Sequence, residues 1–262
     1  MFKLTLRSVP VVLSLVLALF LSGCGTSLDR LSGDTPQAIY DQAKALEDAG
    51  SYERAIKGYE QLEATFPYGR HAQQAQLQIA FSYYKMREWA SSVAASDRFI
   101  KQYPNHPNVD YAYYLKALST QSTDDEDFLN FIYERDLADL DQAAAREAFD
   151  ILKDLVTRFP DSRYTPAARE RMTKISDAMA RSELRTARYY ARRGAPVAAV
   201  NRVKGILKNH ADSSSVEESL AIMVYAYNQL GMNDLKADAE RVLRQSFPSS
   251  AYLNGRYTPP ER

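Results

Sequence analysis

The amino-acid sequence predicts an all-α fold, a solenoid of about five helical hairpins, and two observations lead to this prediction. Gly counts only 10 of 262 residues while Ala, Leu, Glu, Arg and Gln are plentiful, and this mixture favours helix over strand. Apolar-periodic runs repeatedly end at an aromatic–proline pair, with the prolines at 67, 104, 160 and 248. The stretch around Ala211 matches the same position in the pattern, although it lacks the proline. Counted between these positions, the pattern recurs at intervals of 37, 56, 51 and 37 residues. Self-similarity at such periods predicts stacked helical units.

Helix start signals place the hairpins along the chain. Thr35-Pro36 and Thr165-Pro166 each offer a side-chain N-cap followed by proline at the first helical position. The third hairpin carries an insertion around residues 122–139, and no segment shows the alternation expected of a strand. The predicted hairpins span residues 35–67, 70–104, 107–160, 163–211 and 213–248.

The spacing of small and aromatic residues resembles the tetratricopeptide repeat, a helix-turn-helix unit of about 34 residues. With Pro67 aligned to the repeat's terminal proline, Ala43 and Ala55 occupy the small positions where two helices meet, Gly50 the turn and Tyr59 the aromatic position. Small side chains allow close helix approach, and glycine ends the first helix. The matching positions are Ala187, Gly194, Ala199 and Val203 in the fourth hairpin, Gly231 and Leu243 in the fifth, and Ser92 and Phe99, a looser match, in the second.

Charge and motifs exclude several function classes. The 33 basic and 33 acidic residues give a formal net charge of zero, so a basic footprint for nucleic acid is missing. His71, His106 and His210 share no metal-ligand spacing, and "DDED" at 124–127 lacks the spacing and the glycine of a calcium loop. No phosphate-binding glycine loop and no G-x-S-x-G motif is present. We therefore expect no catalytic residue, no metal and no cofactor.

The N-terminus has the pattern of a bacterial lipoprotein signal. Lys3 and Arg7 precede an almost wholly apolar run over residues 9–21, which suits a secretory signal peptide and is short for a membrane span. The following "LSGC" resembles a lipobox, in which the single cysteine, Cys24, is lipidated. The alternative is an ordinary secreted protein with a cysteine near its cleavage site.

This pattern sets the predicted domain organisation. We expect a signal peptide over 1–23, a lipidated flexible tether over 24–34, the repeat domain over 35–248 and a C-terminal tail over 249–262, of which the last residues, "GRYTPPER", are frayed. Gly25, rather than aspartate, follows the cysteine. By resemblance to other lipoproteins, this implies the periplasmic face of the outer membrane.

Tyrosines cluster in the first helix of several hairpins. We expect about half of these rings to pack in the core, because tyrosine is of intermediate burial. The others would line a groove suited to an extended peptide. The clusters are "SYYK" (82–85), "DYAYYLK" (110–116), "ARYYARRG" (187–194) and "VYAYNQL" (224–230).

Beyond the repeat consensus, nearly the whole chain resembles the BamD (ComL) family of outer membrane lipoproteins, which assist β-barrel protein assembly in Gram-negative bacteria. The stretches that carry the resemblance are "FPYGRHAQQAQLQIAFSYYK" (66–85), "HPNVDYAYYLKAL" (106–118), "AREAFDILKDLVTRFPDSRY" (145–164) and "YYARRGAPVAAVNRV" (189–203). The resemblance implies a non-catalytic scaffold and receptor, with other lipoproteins of the assembly complex and unfolded outer membrane proteins as partners.

The resemblance also implies two sets of site residues. Asn201 and Arg202 correspond to the helix that docks on the last periplasmic domain of the central barrel subunit. Arginine suits such a contact because its planar fork can bind a carboxylate through two hydrogen bonds. The residues expected to receive the C-terminal signal of unfolded substrates are Phe66, Tyr68, Gln73, Gln76, Tyr83 and Tyr84.

Two other functions remain open at the level of sequence. One is a tetratricopeptide lipoprotein that serves as a scaffold for pilus or cell-wall machinery. The other is a peptidoglycan-modifying enzyme, which would need a pocket with convergent polar groups that the sequence does not reveal.

Overall fold

The computed structural model describes residues 31–121, 142–254 and 257–259, and in these ranges the chain forms helices and no strand. This confirms the predicted all-α fold. The predicted signal peptide, Cys24 and the insertion over 122–139 lie outside the described residues. The helices are α1 (Pro36–Asp48), α2 (Tyr52–Thr65), α3 (Arg70–Lys85), α4 (Trp89–Gln102), α5 (Val109–Gln121), α6 (Gln142–Arg158), α7 (Thr165–Arg192), α8 (Pro196–Asn209), α9 (Val216–Gln229) and α10 (Asn233–Ser246), followed by a 3-10 helix (Ala251–Leu253).

The chain divides into two compact units, residues 1–76 and 77–262. In the first unit α1 packs on α2. In the second unit each helix from α4 to α10 packs on the next, and α7 also packs on α9. Packing of each helix on its sequence neighbours is the pattern of stacked helical hairpins.

In the turns inside the hairpins, a residue after the first helix adopts the left-handed backbone conformation, with positive φ. Gly50, Gly194 and Gly231 have φ of 76°, 67° and 69°, as the repeat alignment predicts. In the second hairpin the same position is held by Arg87 at φ 63°, the one non-glycine residue with positive φ in the described part of the chain. Its N–H donates to the Tyr84 carbonyl at 3.1 Å, so the turn forms without glycine at a cost in backbone strain.

The predicted small positions lie at helix crossings. Ala43, Ala55, Ala187 and Ala199 are all fully buried. In the second hairpin Ser92 takes this role, and its hydroxyl donates to the Ala80 carbonyl at 2.9 Å. A serine therefore fits a buried crossing because its polar group finds a partner.

The aromatic residue before each proline ends the second helix of its hairpin. Phe66, Tyr103 and Phe247 have φ of −132°, −130° and −135°, and each N–H still bonds the carbonyl four residues earlier. Proline disfavours the α region in the residue before it, so the helix stops there. His210 adopts the same conformation, φ −137°, although Ala211 follows it.

Two local expectations have different outcomes in the structure. Thr35 caps α1 as predicted, accepting from the Ala38 N–H at 3.2 Å. The N-cap predicted at Thr165 is wrong, because Thr165 is the first residue of α7 and its hydroxyl donates to the Phe159 carbonyl at 2.7 Å. This bond ties the start of α7 to the end of α6.

The C-terminal segment does not fray at Tyr257, contrary to expectation. This side chain is only 7% exposed, and its hydroxyl donates to Glu218 Oε1 on α9 at 2.8 Å. Arg188 of α7 binds the same carboxylate through Nε, at 2.7 Å, and through Nη2. The three side chains fasten the end of the chain to α7 and α9.

Candidate functional site

The helix α8 carries the residues predicted to dock on a partner, and its burial pattern sets their direction. Ala199, Val203 and Ile206 are fully buried. Asn201 and Arg202 are exposed on the other side of the helix. The packing of α8 therefore leaves both predicted docking residues accessible.

Arg202 forms an ion pair with a side chain of α7 in the same chain. Its Nη1 donates to Glu183 Oε2 at 3.2 Å, and Tyr190 of α7 lies close to the guanidinium. The hydrogen bond from Arg202 to Glu183 is the main cause that raises the pKa of Arg202 above its ordinary value. Both side chains of the ion pair remain accessible, at 45% and 38% exposed.

A concavity of about 450 Å³ lies beside this pair. Its wall includes Arg146 from α6, Met179 from the middle of α7 and His210 at the end of α8. Among its described residues, the lining contains two arginines, Arg146 and Arg202, and one carboxylate, Glu183. This excess of positive charge favours binding of an acidic group on a partner. The lining residues in the described part of the chain are Arg146, Met179, Glu183, Tyr190, Ala198, Asn201, Arg202, Gly205, Asn209 and His210.

Hydrogen bonds to α7 hold the loop that begins at His210, a residue in the lining of the concavity. His210 Nδ1 lies 2.9 Å from the Ser176 hydroxyl, and burial lowers the pKa of His210. Burial opposes ionisation of Asp177, but hydrogen bonds from Ser214 and Ser213 hold its pKa below the usual range. The loop after α8 is thus bound to α7 at Ser176 and Asp177.

The predicted peptide-binding residues fall in both compact units. In the first unit Phe66 is half-buried, Tyr68 is 90% exposed in the turn before α3, and Gln73 is half-buried on α3. Gln76 is buried, and its Oε1 has no hydrogen-bond partner in the described part of the chain. A buried acceptor without a partner is rare and can take an N–H from a ligand.

In the second unit, Tyr83 and Tyr84 lie half-buried near the end of α3. The Tyr84 ring meets Trp89 edge-on at 5.6 Å between centroids. Burial raises the pKa of Tyr84, although nearby Arg171 opposes this. Tyr84 therefore remains a neutral hydrogen-bonding group through the physiological range.

The other tyrosine clusters mostly pack within the second unit. Tyr114 stacks on Tyr164 at 5.2 Å, and Tyr113 meets Phe159 at 5.8 Å. Tyr227 is buried, while Tyr189 is 47% exposed beside the docking helix. The other rings of these clusters are partly buried, so the expected division, with about half of the rings in the core, is not found.

Sequence reasoning missed Glu183 and Arg146 as neighbours of the predicted docking residues. For Glu183 a signal exists, because antiparallel helices bring together residues that lie about equally far from their turn. Glu183 and Arg202 lie ten residues before and nine after Arg193. Arg146 comes from an earlier hairpin, and no local pattern places it there.

Two general features of the described residues bear on function. No group of three or more His, Cys, Asp or Glu side chains comes together there as a metal ion would require. Within the same ranges, no helix has the length and apolar character needed to cross a bilayer.

Comparison with known proteins places the chain among outer membrane lipoproteins. The family model YfiO, described as "Outer membrane lipoprotein", matches residues 32–243. The "Outer membrane protein assembly factor BamD" of Neisseria meningitidis serogroup A is 41% identical over 95% of both chains. The protein of the same name from Vibrio cholerae is 34% identical, covering 85% of this chain and 92% of that protein. That from Xylella fastidiosa strain 9a5c is 32% identical, with 94% and 85% covered.

A solved structure also aligns with the chain. It is that of a thermophilic TPR protein in Thermus thermophilus, with 14% identity and a TM-score of 0.35. The alignment covers 84% of this chain and 95% of that one.

Proposed function

The chain belongs to the BamD family of outer membrane protein assembly factors, and from this premise we propose that it is a non-catalytic scaffold and receptor in the assembly of β-barrel proteins into the outer membrane. The observation that carries the proposal is the exposed Asn201–Arg202 edge of α8 beside a concavity with a basic wall. A rigid helix hairpin that presents a guanidinium fork is suited to recognise a partner rather than to transform a substrate.

The docking partner is the last periplasmic domain of the central barrel subunit. Support comes from the exposure of Arg202 and from its place on a helix whose other face is fixed in the core by Ala199 and Val203. The contact is an ion pair between Arg202 and an acidic side chain of that domain, with Asn201 hydrogen-bonding alongside. Other lipoproteins of the assembly complex are further partners, as the family resemblance implies.

The substrate signal binds along the turn before α3 and on α3 itself. Gln76 supports this role, since its buried Oε1 is ready to accept a main-chain N–H from an extended peptide. Tyr83 and Tyr84 supply half-exposed rings, and Phe66, Tyr68 and Gln73 complete the set. The ligands are the C-terminal segments of unfolded outer membrane proteins.

A lipid on Cys24 holds the protein at the periplasmic face of the outer membrane. The "LSGC" box and the apolar run before it support this anchor. One acyl chain binds a bilayer only marginally, whereas two or more give stable attachment. The protein is then retained beside the machinery that it assists.

Affinity capture tests the function. The lipoprotein is purified with its native partners from solubilised outer membranes, and the partners are identified by mass spectrometry. The proposal predicts the central barrel subunit as the main partner. Recovery of pilus or cell-wall proteins in its place would refute it.

A further inference from the structure

The ion pair between Arg202 and Glu183 uses only part of the hydrogen-bonding capacity of the guanidinium. Glu183 takes one hydrogen bond, from Nη1, and Tyr190 lies close to the guanidinium. A guanidinium carries five N–H donors in a fixed plane, so donors remain for a second carboxylate. The 45% exposure of the Arg202 side chain leaves room for that carboxylate to approach.

We propose that Glu183 is a positioning residue, which orients Arg202 so that its guanidinium meets an acidic side chain of the docking partner. This inference rests on the docking role proposed for Arg202. The hydrogen bond from Nη1 to Glu183 restrains the guanidinium, and Tyr190, two turns further along the same face of α7, lies close to it. Arg202 is thereby ordered before the partner arrives.

The charges around the concavity favour an acidic partner group. Arg146 lies on the wall, and Glu183 is the one acid among the described residues of the lining. An exposed guanidinium that binds one carboxylate in its own chain can bind another when a second cation offsets the added charge. The partner's carboxylate therefore adds to the Glu183 contact and does not displace it.

The same pair contributes little to the stability of the fold. Both side chains are more than a third exposed, and ion pairs of that kind have small effects on unfolding. Its effect on binding is larger, because a long side chain that must be ordered during association reduces affinity. Loss of Glu183 should therefore change docking without changing the melting temperature.

The experiment measures binding of the full-length lipoprotein, in detergent, to the purified last periplasmic domain of the barrel subunit from the same organism. Calorimetry compares the wild type with Glu183→Ala, Glu183→Gln, Arg202→Ala and the double variant Glu183→Ala/Arg202→Ala. Glu170→Ala is the matched control, because Glu170 is an exposed acid on α7 paired with Lys174. Melting temperatures are measured for every variant.

Glu183→Ala should weaken binding by about twofold to tenfold, the cost of ordering one long side chain. Glu183→Gln should restore most of the affinity, because its carbonyl still accepts from Arg202. Glu170→Ala should bind as the wild type does. In the Arg202→Ala background, loss of Glu183 should have no further effect.

The other outcomes overturn the inference in distinguishable ways. Tighter binding by Glu183→Ala would make Glu183 a competitor of the partner. A further loss of binding in the Arg202→Ala background would make Glu183 a direct contact. If Glu183→Ala binds like the wild type while Arg202→Ala binds more weakly, the positioning role of Glu183 is rejected and the docking role of Arg202 is kept. Unchanged binding by Arg202→Ala would remove the proposed docking site itself.

Discussion

The Gln61 side chain holds the main chain of Leu31 through two hydrogen bonds of 2.8 Å, one to its N–H and one to its carbonyl. The Leu31 side chain lies against Gly58, where an added Cβ would come within 2.5 Å of Leu31 Cδ1. The segment expected to be a flexible tether over 24–34 is therefore docked on α2 at Leu31. The chain between Cys24 and Leu31 spans at most about 25 Å.

Replacement of Gln61 by leucine should destabilise the protein. The change keeps the volume of the side chain but removes both hydrogen bonds to Leu31, for an expected loss of about 1–3 kcal/mol. Urea unfolding followed by circular dichroism measures it. Gln37→Leu is the control, since the Gln37 amide bonds Asp41 on the exposed surface of α1. Equal stability of the two variants would show that the docking of Leu31 contributes nothing.

Enlarging the small residues at the helix crossings should also destabilise the fold. Ala55 and Ala199 are fully buried, so leucine at either position overpacks the junction at a cost of about 1–3 kcal/mol. Thermal unfolding of each variant checks this. The exposed Ala90→Leu variant serves as control. Unchanged melting temperatures at both buried sites would contradict the helix packing described here.

The strained turn at Arg87 offers a stabilising change. Arg87→Gly should raise the free energy of unfolding by about 0.5–1 kcal/mol, because glycine adopts a φ of 63° without steric cost. Gly50→Ala is the opposite test at the equivalent turn. An added Cβ meets nothing within 4 Å there, so its expected loss of about 1 kcal/mol comes from the backbone alone. Parallel urea titrations would count against this account if both changes moved stability in the same direction.

Acid should weaken the contact between Tyr257 of the C-terminal segment and Glu218 of α9. Burial opposes ionisation of Glu218, but hydrogen bonds from Arg188 and Tyr257 hold its pKa below the ordinary value of 4.5. Stabilisation from a lowered carboxyl pKa is fully present above pH 4.5 and is lost as the pH falls through the folded value. The wild type should therefore lose more stability on acidification than Glu218→Gln does.

Urea unfolding at about pH 7, 4.5 and 3 measures the difference between the two proteins, since these values bracket the titration of the carboxyl group. The stability advantage of the wild type at neutral pH should shrink toward the acid end. A constant difference at all three values would show that Glu218 does not titrate with folding.

Local patterns were enough to predict the hairpins and their crossings. Ala55 and Ala199 were located by spacing alone, because a helical repeat places small residues at fixed distances from its turn. The N-cap at Thr165 was misplaced because Ser162, three residues earlier, accepts from the Tyr164 N–H at 3.1 Å and so takes over the cap region. Only the three-dimensional contacts show that the Ser162 hydroxyl, and not the Thr165 hydroxyl, accepts a backbone N–H at the start of α7.

Contacts between distant parts of the chain were beyond the reach of the sequence. Tyr257 reaches Glu218 across 39 residues, and nothing in the composition of "GRYTPPER" distinguishes a docked tyrosine from a frayed one. The exposure of Arg202 could be predicted from its place beside the buried Ala199–Val203 face, and its docking role stays a prediction. Its partner Glu183 belongs to the preceding helix, and the contact is found only when the alignment of the two helices in the hairpin is known.

The most direct test of the docking claim is capture of the barrel subunit by the Arg202→Glu lipoprotein. The variant, the wild type and Lys204→Glu are purified from outer membranes at equal expression. Lys204 is exposed on the same helix outside the concavity lining, so its reversal controls for charge. Circular dichroism confirms that each chain is folded. The account predicts that Arg202→Glu loses most of the barrel subunit while Lys204→Glu keeps it. A folded Arg202→Glu variant that captures the subunit at the wild-type yield would contradict it.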